Sequence, residues 1–98
     1  MNYEFHPKAE LEFVEAAARY EAEAPGLGFQ FGAEVERVID LLLDRPELGA
    51  PVHGEIRHFV LRRFPFSVVY FVSGNSVHIL ALAHGSRAPG YWLSRRSS

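Results

Sequence analysis

Residues 55–92 read EIRHFVLRRFPFSVVYFVSGNSVHILALAHGSRAPGYW, and the fold is decided there. Three apolar runs, residues 56–61, 68–72 and 77–83, are separated by Arg63-Phe64-Pro65-Phe66 and by Ser73-Gly74-Asn75-Ser76. Runs of this length rich in Val, Ile, Phe and Tyr, bounded by Pro, Gly and Asn, predict the strands of an antiparallel meander. In the last two runs both alternating sets are apolar: Val69 and Phe71 against Val68, Tyr70 and Val72, and Ile79 and Ala81 against Leu80 and Leu82. A strand with one face in water shows polar residues at every second position, so each face of this sheet needs a cover. In the third run Val77, Ile79, Ala81 and Ala83 are small and wholly apolar, and this set is expected against a helical layer. The opposite set, His78, Leu80, Leu82 and His84, mixes bulk with ionisable groups. It is expected on an open face, an apolar interaction patch rimmed by arginine and histidine.

Upstream, residues 2–6 alternate, with Tyr3 and Phe5 on one side, and predict a short strand. Pro7 suits a first helical position, where its missing N–H costs nothing. Residues 8–24 are rich in Ala and Glu and predict a helix. Leu11, Val14 and Ala18 mark its expected inward stripe, Ala17 and Ala22 allow a close neighbour, and Glu10, Glu12, Glu15 and Glu23 read as a solvated face. Pro25-Gly26-Leu27-Gly28 turns the chain. In residues 29–44, Phe31, Val35, Val38 and Leu42 recur at i, i+4, i+7 and i+11, widened by Ile39 and Leu43, as one face of a second helix. Pro46 ends that helix. The two helices form an antiparallel hairpin and the obvious cover for one sheet face. Residues 46–54, with two prolines and two glycines, read as a connecting loop, and residues 93–98 as a frayed basic tail. The expected fold is one α+β domain over residues 1–98: a strand and a two-helix hairpin packed on a small, mainly antiparallel sheet, in the order β-α-α-β-β-β.

The 98 residues contain no cysteine, which excludes disulfides and thiolate metal sites and fits a reducing cytoplasm. No run approaches the ~20 apolar residues that cross a bilayer, and Met1-Asn2-Tyr3-Glu4 is too polar for a signal peptide. The net charge of −2 conceals a strong asymmetry. All twelve carboxylates lie at or before Glu55, against four basic residues there; residues 56–98 carry six arginines and no acid. The basic half therefore points to an anionic partner, nucleic acid or an acidic peptide, or else to complementarity within the chain. No phosphate-cradling glycine loop precedes a helix, and the five histidines lack metal-ligand spacing, so neither cofactor nor metal is expected.

Taken in order, Tyr3-Glu4-Phe5-His6-Pro7-Lys8-Ala9, Pro25-Gly26-Leu27-Gly28 with Phe31, Arg62-Arg63-Phe64-Pro65-Phe66 with Val69-Tyr70, and His84-Gly85-Ser86-Arg87 with Pro89, Tyr91 and Trp92 span almost the whole chain. This series resembles the RelE/ParE superfamily of small bacterial toxins from type II toxin–antitoxin systems, and is closer to its ParE branch. The resemblance implies a cytoplasmic toxin held inactive in a hetero-oligomer by a cognate, ParD-like antitoxin whose C-terminal segment wraps it. A disordered acidic peptide folding onto an open apolar face would supply the missing cover. Arg57, Arg62, His78, Leu80, Leu82 and His84 are the antitoxin-binding candidates.

The superfamily divides by target: the RelE-like branch cleaves messenger RNA on the ribosome, and the ParE-like branch poisons DNA gyrase. Cutting RNA through its 2′-hydroxyl needs a base, a cation for the pentavalent phosphate and an acid for the leaving oxygen. His84, Arg87, Tyr91 and Arg62 are the candidates if the chain is a nuclease, with Arg57 a further cation. Against this stand the single lysine, Lys8, the Ser67 found three positions before Tyr70 where nucleases of the family commonly have arginine, and the absence of acids after Glu55. His84 then reads as a structural or interface histidine, and Trp92 as a lid on the core with Tyr91 beside it. The expected function is gyrase inhibition by binding; the alternatives are a ribosome-dependent endoribonuclease and a family member that has lost toxicity.

Overall fold

The computed structural model describes residues 1–97. Strand β1 (Asn2–Phe5) leads into helix α1 (Pro7–Glu23) and helix α2 (Leu27–Asp44). Four strands follow, β2 (Ala50–His53), β3 (Ile56–Val60), β4 (Phe66–Ser73) and β5 (Ser76–His84), and then a 3₁₀ helix (Leu93–Ser97). The fold is α+β, as expected, with one strand more than the sequence predicts. Within the expected loop, Ala50 and Pro51 pair antiparallel with His58 and Arg57, forming a short edge whose register shifts before His53. Proline is tolerated there because an edge strand has no second ladder to serve.

The sheet order is β1-β5-β4-β3-β2, with β1 parallel to β5 and every other pair antiparallel. The hairpin turn works because Gly26 takes φ +88° and Gly28 lies against the Ala17 carbonyl and the Glu21 side chain, where a Cβ would not fit. Glu21 then accepts the Gly26 and Gly28 N–H groups at 2.9 and 3.0 Å, capping the amide end of α2 with a carboxylate. Helix α2 buries Phe31, Val35, Val38, Ile39 and Leu42, the expected stripe.

Helix α1 does not. Its buried positions are Ala9 and Ala16, with Phe13, Ala17 and Tyr20 packed against the same core, while Leu11 is 56% and Val14 55% exposed. The helix has two apolar stripes, and the aromatic one wins. Phe13 and Tyr20 stand 5.9 and 5.3 Å from Phe31, and Tyr20 is 4.9 Å from Phe64, each between ring centroids. Two large rings bury more apolar surface than Leu11 with Val14, and the alanines between them let the helix sit close to the sheet.

A bulge in β5 reassigns the sheet faces. Tyr70 pairs with Ile79 but Val69 pairs with Ala81, so Leu80 is an extra residue and the alternation reverses after it. Val77, Ile79 and Leu82 join the core under the helices, whereas Leu80 and Ala81 join Ile56, Val69, Phe71 and Trp92 on the far face. The expectation that Ala81 and Ala83 face the helices and that Leu82 lies open is therefore corrected. So is the frayed tail expected over residues 93–98: Leu93–Ser97 form the 3₁₀ helix and Arg95 is 9% exposed (Ser98 lies outside the described residues). Trp92 just before it, 7% exposed, covers the far face as the expected lid.

Candidate functional site

The C-terminal segment is held by one carboxylate. Glu12 of α1 reads from sequence as solvated, but its side chain is only 15% exposed. Its Oε1 accepts from Arg95 Nη1 at 2.9 Å and from the Leu82 N–H at 3.1 Å. Its Oε2 accepts from Arg95 Nη2 at 2.9 Å and from the Tyr91 hydroxyl at 2.8 Å. Arg95 Nη1 also donates to the Leu80 carbonyl at 2.9 Å, so the bidentate pair clamps helix α1, the bulge and the 3₁₀ helix together. Arg87 approaches Glu12 at 3.9 Å and lies 3.8 Å above the centre of the Tyr91 ring. Burial, reinforced by the hydrogen bond to Glu12, pushes the Tyr91 hydroxyl up to about 12.

Two clefts meet beside this cluster, and His84 and Arg87 line both. One, of about 260 Å³, lies between α1 and the end of β5, with Glu12, Glu15, Arg19 and Ser86 on its walls. The other, of about 460 Å³, is a more apolar groove on the far sheet face, floored by Ser67, Val69 and Ala83 and walled by His58, Val52 and residues 88–93. His84 Nδ1 accepts from the Ser86 N–H at 3.0 Å and lies 2.8 Å from Ser86 Oγ. An amide can donate only to a lone pair, so the neutral ring carries its proton on Nε2. In that tautomer His84 offers the clefts a donor and no base.

The remaining candidates do not gather around one point. Arg62 sits at the β3–β4 turn, exposed, with its backbone N–H donating to buried Glu34 at 2.7 Å. Arg57 Nη1 donates to the Gly49 and Glu47 carbonyls at 2.7 and 3.2 Å, so it fastens the loop after α2. Tyr70 fastens the same loop, donating to the Pro46 carbonyl at 2.7 Å and accepting from Gly49 N–H at 2.8 Å. His78 stacks on Phe71 with centroids 4.7 Å apart, while Arg96 lies 3.8 Å from the centre of that ring and pairs with Glu55 at 2.7 Å. Six residues of strand separate His78 from His84, about 20 Å. Leu80 and Leu82 are 2% and 1% exposed, so neither forms an open surface.

The open patch expected along His78, Leu80, Leu82 and His84 is thus corrected in position. Its Leu80 portion is sealed by the chain's own Trp92 and Arg95, its Leu82 portion by the helices, and the groove that persists lies toward β3 and β2. Sequence reasoning missed Glu12 and Arg95. The available signal was electrostatic: a chain whose basic half lacks carboxylates must draw any buried partner for its arginines from the acidic half. Arg87, Arg95 and Arg96 all find one, in Glu12 and Glu55.

No helix among the described residues is long and apolar enough to cross a membrane, and no group of three or more His, Cys, Asp or Glu among them is placed to hold a metal ion. The family model described as the ParE toxin of type II toxin-antitoxin system, parDE, matches residues 3–89. Among curated proteins, none matches this sequence significantly. A solved structure described as the chromosomal ParDE TA system from P. aeruginosa superposes with a TM-score of 0.75 at 20% identity. The match covers 86% of this chain and 95% of that one, a likeness of fold.

Proposed function

Because this chain belongs to the ParE toxin family of type II toxin–antitoxin systems, we propose that it is a toxin that acts by binding, with DNA gyrase as its target and a ParD-like antitoxin as its inhibitor. One observation carries this reading: the groups that RNA cleavage would need are committed to the fold. Tyr91 gives its proton to Glu12 in a hydrogen bond and ionises only at about 12. His84 presents Nε2–H, with its Nδ1 lone pair held by Ser86. Within the candidate set no lone pair is left uncommitted to act as base, and Arg87 is the one candidate cation beside His84, since Arg62 lies at another turn and Arg57 fastens the loop after α2. The clustering of His84, Arg87 and Tyr91 on the far-face groove is what favours the second reading, a ribosome-dependent endoribonuclease.

The antitoxin surface we assign is the far-face groove between β2, β3 and residues 87–93. It combines apolar floor residues with Arg87 at the rim, a fit for an acidic amphipathic segment that acts in the cytoplasm on the newly made toxin. Val52 is 40% exposed on an edge strand, so Val52→Asp is expected to keep the fold and weaken the antitoxin complex at least tenfold in Kd. Unchanged affinity would remove the groove from consideration.

The target is tested by adding the purified chain to a gyrase supercoiling assay and to a translating extract. Supercoiling should be inhibited while mRNA stays intact. Defined mRNA cuts that disappear in His84→Ala would establish the nuclease instead. Silence in both assays would mark a family member without toxicity.

A further inference from the structure

Helix α1 carries a second apolar stripe that the fold leaves uncovered. Pro7, Leu11, Val14, Ala18 and Ala22 follow one another at spacings of four, three, four and four, and all five are exposed. They run along the side of the helix opposite Ala9, Phe13, Ala16 and Tyr20. Scattered exposed apolar side chains need no explanation, but these form one strip ~22 Å long at the helical rise of 1.5 Å per residue. Alternating three- and four-residue spacing is the seam into which the side chains of a second helix interlock.

The charges beside the seam select the occupant. Lys8 and Glu15 are both exposed and lie on the same flank, each one position after a seam residue and seven apart. On the other flank stands Glu10, while Glu21 is committed to the amides of Gly26 and Gly28. An acidic peptide would meet Glu10 and Glu15 as well as Lys8 and Arg19, a mixed border better matched by a partner that carries the same mixture. A second α1 laid antiparallel about a point between Leu11 and Val14 meets no such conflict. Each Leu11 then faces the partner's Val14, and each Lys8 comes opposite the partner's Glu15, so the favourable ion pair occurs twice.

We propose that this face joins two copies of the chain about a twofold axis through α1. The contact is isologous, closes on itself and leaves the far-face groove of each copy free. It does not depend on the gyrase reading, because its seam excludes His84, Arg87 and Tyr91 and only Glu15 also stands on the wall of the smaller cleft.

Sedimentation velocity of the purified chain over a concentration series tests it. The wild type should shift from monomer to dimer. Leu11→Asp combined with Val14→Asp should stay monomeric at every concentration with an unchanged circular dichroism spectrum, since both side chains are already solvated in the monomer. Lys8→Glu or Glu15→Lys alone should raise the dimer dissociation constant about tenfold, by replacing two attractive contacts with repulsive ones. Lys8→Glu together with Glu15→Lys should restore the wild-type value, the mark of this antiparallel pairing. A wild type that remains monomeric throughout overturns the proposal, even if the α1 variants lose antitoxin. So does a dimer that survives the aspartate pair, or a double charge reversal that fails to recover.

Discussion

Glu12 is the residue on which the candidate site turns. It reads as one of several surface glutamates, yet it receives Arg95, Tyr91 and a backbone amide of the β5 bulge. Glu12→Gln keeps the shape and removes the carboxylate charge that faces the nearly buried guanidinium of Arg95. The expected loss is about 3 kcal/mol of unfolding free energy, measured by urea denaturation. A loss below about 1 kcal/mol would show that the other contacts of the C-terminal segment, Trp92 and the Arg96–Glu55 pair among them, hold it without the Glu12 charge. Tyr91 gives a pH signature. Its hydroxyl ionises near its ordinary value in the unfolded chain but only at about 12 in the folded one, so the stability it contributes is full below pH ~10 and is lost as pH rises toward 12. Tyr20 and Tyr70, raised by burial, share this alkaline limb, so Tyr91→Phe should shrink the limb and not abolish it. Glu34 works in the opposite direction. The hydrogen bond from Arg37, with help from the Arg62 N–H, holds its carboxyl below the usual range. Its contribution is present above the ordinary carboxylate value and disappears as pH falls through the lowered one. Glu34→Gln should flatten the acid limb of a stability–pH curve, and an unchanged limb would assign acid unfolding to other carboxylates.

At the scale of elements, helix α2 and strand β5 behave differently toward pattern reading. The α2 stripe is a plain helical period, and Phe31, fully buried at its centre, contacts rings from α1 and both sides of the β3–β4 turn. Phe31→Ala is expected to cost about 3–5 kcal/mol of stability, seen as a lowered melting temperature. In β5 a strict period of two fails because Leu80 is extra. Leu80→Asp and Leu82→Asp are consequently expected to disrupt folding itself, with loss of the native circular dichroism signal, because each places a carboxylate at a buried apolar position. Selective loss of antitoxin binding with an intact fold would contradict the face assignment. Helix α1 fails for another reason: it is apolar on two sides, and periodicity finds both stripes without ranking them. What ranks them is the aromatic area that Phe13 and Tyr20 bring to Phe31, Phe64 and Phe66.

For the whole molecule, the division into an acidic first half and a basic second half is resolved largely within the chain. Arg87, Arg95 and Arg96 meet carboxylates, Arg57 meets carbonyls and Arg63 donates to Gln30 at 2.9 Å. Internal complementarity thus accounts for much of a pattern that also pointed outward to an anionic partner. The same C-terminal segment shows how a small sheet with two apolar faces is covered by helices on one side and a short strap on the other. Trp92→Ala should cost about 3–5 kcal/mol and uncover Leu80, Ala81 and Val69, measured as lower stability together with binding of a hydrophobic dye. From the sequence alone come the helices, the three main strands and the stripe of α2, because propensity, turn chemistry and period are local properties of the chain; the toxin family came from the resemblance of its ordered motifs. The strand order, the parallel seat of β1 beside β5, the face that each β5 residue presents and the pairing of Glu12 with Arg95 came only with the tertiary structure. Their physical reason is shared: each depends on contacts between segments up to 83 residues apart, and one extra residue at Leu80 reverses every later side chain without leaving a mark in composition or spacing.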